Sequence, residues 1–175
     1  MRGLPGSGKS YRARQLACES GIILETDAIY RNPERYGLCD ASMEVARAKN
    51  LDLFCRAINS GQSTIVVDRG NGLNDETYIY VNLARSAGYR VRLVEPDSPW
   101  WREIRTLLRY RPHTDAILEC WAHELARINQ RTNQVPASTI LDWLDGWVAD
   151  LSTEELLEHA DGFNVDSAAA VHQEV

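Results

Sequence analysis

Three short apolar runs, "GIILETD" at residues 21–27, "STIVVD" at 63–68 and "YRVRLVE" at 89–95, are each β-rich and end on a carboxylate. Runs of this length bounded by turn-forming residues read as buried strands. Between and after them the apolar residues recur at helical spacing. A helix is expected to start at residue 9, with Tyr11, Leu16 and Ala17 facing inward, and another over 41–59, with Val45, Phe54 and Ile58 in the core. A third is expected over 75–86, leading through Gly88 into the last strand. "DSPWWREI" opens a fourth, with Ser98 as N-cap and Pro99 in the first turn, where its missing N–H leaves no carbonyl unpaired. Helices are further expected over 115–129 and 138–150, where Trp143 and Trp147 belong to the core rather than to a base-stacking platform. Ser152 and Glu155 have capping-box spacing for a last short helix. "DGFNVD" gives a short edge strand, and a frayed tail follows Ser167. Strands alternating with helices predict an α/β fold with a mostly parallel sheet, the chemistry-bearing part spanning residues 1–150 and the C-terminal helix, strand and tail 151–175.

Ahead of the first helix stands "GLPGSGKS", Gly3 to Ser10, with the spacing of a phosphate-binding loop. Gly6 and Gly8 let the backbone approach phosphate oxygens, and the following helix end adds positive potential. Lys9 supplies a charge for the β- and γ-phosphates, and Ser10 a hydroxyl for Mg²⁺. Gly3, Pro5, Gly6, Ser7, Gly8, Lys9, Ser10 and Tyr11 together make the candidate ATP-binding set. Such a loop normally follows an interior strand of a parallel sheet, yet only Met1 and Arg2 precede it. The expectation is a three-layer P-loop fold whose first, central strand is missing because the chain is short at its N-terminus.

Two aspartates and a group of arginines complete the candidate chemistry. Asp27 falls at a strand's carboxyl end, where open α/β sheets bind ligands; it reads as a general base for phosphoryl transfer, or as the cap of the helix at "AIYR". Asp68 ends "TIVVD" and reads as a ligand to a metal-bound water, or as a strand-ending residue in the turn with Gly70 and Gly72. Arg105, Arg109 and Arg111 could close over a transferring phosphoryl group, or form a solvated basic face. Cys120 and His123 have metal-like spacing on a helix but lack a second pair.

Composition narrows the partners. With 19 Lys and Arg against 25 Asp and Glu, the net charge of −6 excludes an overall-basic nucleic-acid binder, leaving only a local basic patch for any polyanion. The four cysteines, Cys18, Cys39, Cys55 and Cys120, form no C-x-x-C pair and read as reduced, mostly buried thiols of a cytoplasmic protein. No run reaches the length of a membrane span, and no signal-peptide pattern is seen.

"GLPGSGKS", "TDAIYR", "VVDRGN" and "EPDSPWWREI", in that order and followed by arginines, resemble the polynucleotide-kinase-like P-loop phosphotransferases. The resemblance covers Gly3 to about Asn129. It implies transfer of the γ-phosphoryl group of ATP, with Mg²⁺, to a hydroxyl of a nucleic-acid end or a small molecule. By position, Lys9 and Ser10 take the triphosphate and metal, and Asp27 matches the general base. Arg31 lies near the arginine that holds the acceptor's phosphate. Asp68 matches the metal-side aspartate, with Asn71 as its partner, and Arg109 and Arg111 fall in the lid. Arg69 and Gly70 depart from the family's polar residues after that aspartate. The other readings are an ATP-binding regulatory or switch module with little transferase activity, and a small-metabolite or toxin-type kinase.

Overall fold

The computed structural model describes residues 1–39, 42–69 and 73–163. Two strands, β1 (Ile22–Leu24) and β2 (Ile65–Val67), pair in parallel, Ile22 opposite Ile65 and Leu24 opposite Val67. The helices are α1 (Lys9–Ala17), α2 (Thr26–Arg31), α3 (Met43–Asn59), α4 (Asp75–Ser86), α5 (Pro99–Leu108), α6 (Asp115–Asn129), α7 (Ala137–Asp145) and α8 (Thr153–Asp161), with a 3₁₀ turn at Pro33–Tyr36. The protein is therefore α/β, mostly helical around a small parallel sheet.

Side chains alternate across the sheet with the two-residue period of a strand. Ile23 and Val66 meet Ala13, Leu16 and Ala17 of α1 on one face. Ile22, Leu24, Ile65 and Val67 meet Phe54 of α3 and Tyr80 and Ala84 of α4 on the other. Phe54 and Tyr80 are edge-to-face, with centroids 4.9 Å apart. The largest core lies beside the sheet, where α5, α6 and α7 enclose Leu4, Trp101, Ile104, Leu125, Ile140 and Leu144. Trp147 closes this core and Trp143 packs against it, as their apolar neighbours suggest. α8 seals the far side of α4 through Leu156 and Ala160 on Val81. Its capping box forms as expected, Ser152 Oγ accepting from Glu155 N–H and the Glu155 carboxylate accepting from Ser152 N–H.

Several expectations need correction. Residues 89–95 form no ladder: Leu93 N–H donates to Thr153 Oγ1, and Val94 C=O accepts from Arg2 N–H at 2.9 Å. A ladder needs a run of paired residues, and the chain alongside this segment is Met1–Arg2, whose amino group bonds Val67 C=O on its other side. Tyr11 is 65% exposed and Val45 40%, because the inward stripes of their helices run through Ala13 and Ala17, and through Ala46, Asn50, Phe54 and Ala57. α3 starts at Met43, capped by Ser42; position 41 lies outside the described residues. α7 stops at Asp145, where Gly146 follows, and does not continue to 150. All four cysteines are free, but Cys18, Cys39 and Cys120 are exposed and Cys55 only partly covered. The "DGFNVD" strand begins on the last turn of α8 at Asp161, and its residues 164–166, like the tail, lie outside the described residues. Among the described residues no helix is long and apolar enough to cross a membrane.

Candidate functional site

The loop between Arg2 and α1 is a tight cradle held from outside. Ser7 N–H donates to Leu4 C=O at 3.1 Å, closing its first turn. Gly6 has φ +79°, and a Cβ there would stand 2.8 Å from the Leu125 carbonyl oxygen of α6, so only glycine lets loop and helix come this close. Gly8 takes the left-handed conformation (φ 95°, ψ 15°) as the N-cap of α1, turning the chain sharply into the helix. Two side chains from the start of α5 brace the outer carbonyls. Ser98 Oγ donates to Ser7 C=O at 2.8 Å, and Trp100 Nε1–H donates to Gly6 C=O at 3.0 Å. Ser98 also accepts from Trp101 N–H, so one hydroxyl caps α5 and ties it to the loop. The Gly6 and Ser7 carbonyls are thereby engaged by α5 and not by the phosphate side of the loop.

Lys9 folds back over this cradle, its Nζ 3.2 Å from Leu4 C=O. Burial lowers its pKa most, while Asp68, Asp27 and Glu25 attract the ammonium and oppose the shift. The parallel register explains this meeting: Leu24 and Val67 are partners, so the chain leaves both strands at one edge with its carboxylates side by side. Asp68 is 4% exposed, and its N–H still donates to Leu24 C=O at 2.9 Å. Among the described residues neither of its carboxylate oxygens has a hydrogen-bond partner. Glu25, in the same cluster, has its pKa raised by burial first and by Asp68 next, with Arg31 pulling the other way. Among the described residues no group of three or more His, Cys, Asp or Glu forms a ready-made metal cage.

Asp27 lies in the first turn of α2. No side chain caps that helix, whose N-cap is Glu25. Asp27 Oδ2 accepts from Asn133 Nδ2 at 2.8 Å. Arg31 gives one terminal nitrogen to Glu25 at 3.0 Å and the other to Asn133 Oδ1 at 3.2 Å. Arg69 turns away from the loop toward Glu76 and Tyr80, at 13% side-chain exposure. Asn71, Gly70 and Gly72 lie outside the described residues. Tyr11 projects into solvent.

The structure thus gathers Lys9, Asp27 and Asp68 around the loop, with Ser10 in the first turn of α1. Arg105, Arg109 and Arg111 stand elsewhere, on carboxylates. Arg109 grips Asp150 with Nε at 2.8 Å, and this hydrogen bond lowers the Asp150 pKa. Arg111 reaches Asp115 and Asp145, both at 2.6 Å. Arg105 pairs with Glu95 at 2.9 Å. Four residues of the site escaped sequence reasoning. Glu25 stood in view within "ETD", whereas Ser98, Trp100 and Asn133 meet the loop or Asp27 only through the fold.

Comparison with known proteins gives the family. Human NEDD4-binding protein 2 is 36% identical over 104 residues, which is 58% of this chain but only 6% of that protein's length. No solved structure gives a significant match. The family model described as "AAA domain", AAA_33, matches residues 1–135, a stretch holding the loop, both strands, both aspartates and Asn133. The chain belongs to the AAA_33 family and carries a P-loop, kinase-like nucleotide-binding domain.

Proposed function

We propose that this protein is an ATP-dependent phosphotransferase with a three-layer P-loop core, moving the γ-phosphoryl group to a hydroxyl of a nucleic-acid end or a small molecule. The observation that carries the reading is the buried Asp68 carboxylate, without a hydrogen-bond partner among the described residues, next to Lys9 at the mouth of the glycine loop. A buried anion without hydrogen bonds is costly unless a cation or ligand completes it. Mg²⁺ suits these oxygen donors in chemistry: Asp68 would hold it through water and Ser10 through its hydroxyl, with the triphosphate supplying the rest. When bound, the ion neutralises charge on the β- and γ-phosphates. The loop N–H groups and Lys9 bind and orient the triphosphate. Asp27 takes the proton of the acceptor hydroxyl as its oxygen bonds to the γ-phosphorus, and the bond from that phosphorus to the β–γ bridging oxygen breaks, leaving ADP. Arg109 and Arg111 would stabilise the spreading charge on leaving Asp150, Asp115 and Asp145 for the phosphoryl group.

The test is a panel of radiolabelled ATP against 5′-hydroxyl oligonucleotides, nucleosides and sugars, run with parent and Asp27→Asn. Transfer to one acceptor class, lowered about 100-fold in Asp27→Asn with ATP affinity kept, is the expected result. The engagement of Arg109 and Arg111 in surface ion pairs favours a second reading, an ATP-binding module with little transferase activity. ATP binding with no acceptor-stimulated turnover across the panel would decide for it.

A further inference from the structure

The turn after α6 is wound around one buried side chain. Asn129 is 1% exposed; its Nδ2 donates to Leu125 C=O at 2.7 Å and its Oδ1 accepts from Val135 N–H at 2.8 Å. Its carbonyl accepts from Thr132 N–H at 2.9 Å and Gln134 N–H at 3.1 Å. Gln134 is held at φ +54°, a conformation uncommon outside glycine. This turn carries Asn133 back across the molecule to α2, more than a hundred residues away in sequence, where the amide touches Asp27 and Arg31 together.

Asp27 and Arg31 are four residues apart on one short helix, the spacing at which a carboxylate and a guanidinium pair directly. Here they do not; the Asn133 amide stands between them. An amide suits the place because it donates on one side and accepts on the other, and the two partners fix its orientation, Nδ2 to the carboxylate and Oδ1 to the guanidinium. Aspartate at 133 would repel Asp27, and lysine would repel Arg31.

We propose that Asn133 is a positioning residue that keeps Arg31 off Asp27, fixing Oδ2 of that carboxylate and leaving Oδ1 free for the incoming hydroxyl. This rests on reading Asp27 as the general base. Without Asn133, the Arg31 nitrogen that now meets its amide, the other being on Glu25 at 3.0 Å, would turn onto the carboxylate and compete with the hydroxyl for the base.

The experiment measures ADP formation from Mg·ATP by the full chain, with water alone and with a 5′-hydroxyl oligodeoxynucleotide, alongside thermal melting. In the faster arm, Asn133→Leu should lower kcat at least about 10-fold, as misplacing a reacting group does, with KM for ATP within about twofold and an unchanged melting midpoint. Asn133→Gln, which keeps donor and acceptor, should recover part of the loss. In the water arm, adding Arg31→Gln to Asn133→Leu should recover part as well, because the competing guanidinium is gone. A kcat unchanged in Asn133→Leu while Asp27→Asn is impaired overturns the positioning role alone, as does a loss that neither second change repairs. A silent Asp27→Asn overturns the base assignment, and the role of Asn133 with it. A chain that binds Mg·ATP but forms no ADP with water, with the oligonucleotide or with the nucleosides and sugars of the acceptor panel overturns both.

Discussion

Burial disfavours the Lys9 ammonium more than Asp68, Asp27 and Glu25 together favour it. Its pKa is lowered in the folded protein, chiefly by burial, so the unfolded chain binds that proton more tightly. The sign follows: the stability is whole above the ordinary lysine value of 10.5 and declines as pH falls through the folded value, so it is diminished at pH 7. Lys9→Met should therefore melt at a higher temperature than the parent without nucleotide, yet lose about 10- to 100-fold in Mg·ATP affinity, the worth of a charge-assisted contact. Paired melting and calorimetry check both halves, and a variant weaker in both would contradict the account. Glu25 shows the opposite shift, raised by burial and by Asp68. Its contribution is complete below the ordinary 4.5 and is lost as pH rises through the folded value. Glu25→Gln should then be more stable than the parent at pH 7, with the difference closing below pH 4.5. Melting curves across that range decide it, and a pH-independent difference would count against the sign.

Ser98 and Ser152 are both N-caps, of α5 and α8, but only Ser98 also bonds the glycine loop. Replacing either with alanine should cost about 1 kcal/mol in denaturant unfolding. Ser98→Ala alone should also weaken Mg·ATP binding, since Ser7 C=O loses its brace. Equal nucleotide affinity in the two variants would show the tie to be idle. Both caps were legible in the sequence because capping is local chemistry, settled within one helical turn. β1 and β2 were legible for a similar reason, an apolar run fixing the faces and a carboxylate marking the end. The third run failed because a strand is a relation between segments: "YRVRLVE" has the composition, but the backbone beside it gives too few partners. Val45 and Tyr11 failed because apolar character does not say which helical stripe meets the sheet; alanines and Asn50 took those places. Asn133 was out of reach altogether, its meaning depending on a contact over 106 positions.

Glu95 joins the parts into one body. At 10% exposure it accepts from Arg2 at 2.7 Å and from Trp101 Nε1–H at 3.2 Å, and pairs with Arg105 at 2.9 Å. Glu95→Leu would leave the Arg2 guanidinium, 2% exposed, buried beside an apolar side chain. A loss of about 3–5 kcal/mol is expected, the range for breaking a buried pair from one side. Because Arg2 adjoins the glycine loop, the same variant should bind nucleotide poorly even where it is folded. Chemical denaturation followed by ATP titration below the midpoint measures the two effects separately, and a loss under 1 kcal/mol would mean the pair is dispensable. That guanidinium also lies 3.9 Å above the Trp147 ring, whose centroid is 5.2 Å from Trp101 at an interplanar angle of 84°. Indoles at this separation are close enough for their excited states to couple, and a cation over one ring shifts the energy of its excited state. A displacement of Arg2 on filling the phosphate cradle is expected to change near-ultraviolet dichroism and tryptophan emission, and spectra recorded with and without Mg·ATP check this, identical spectra counting against it.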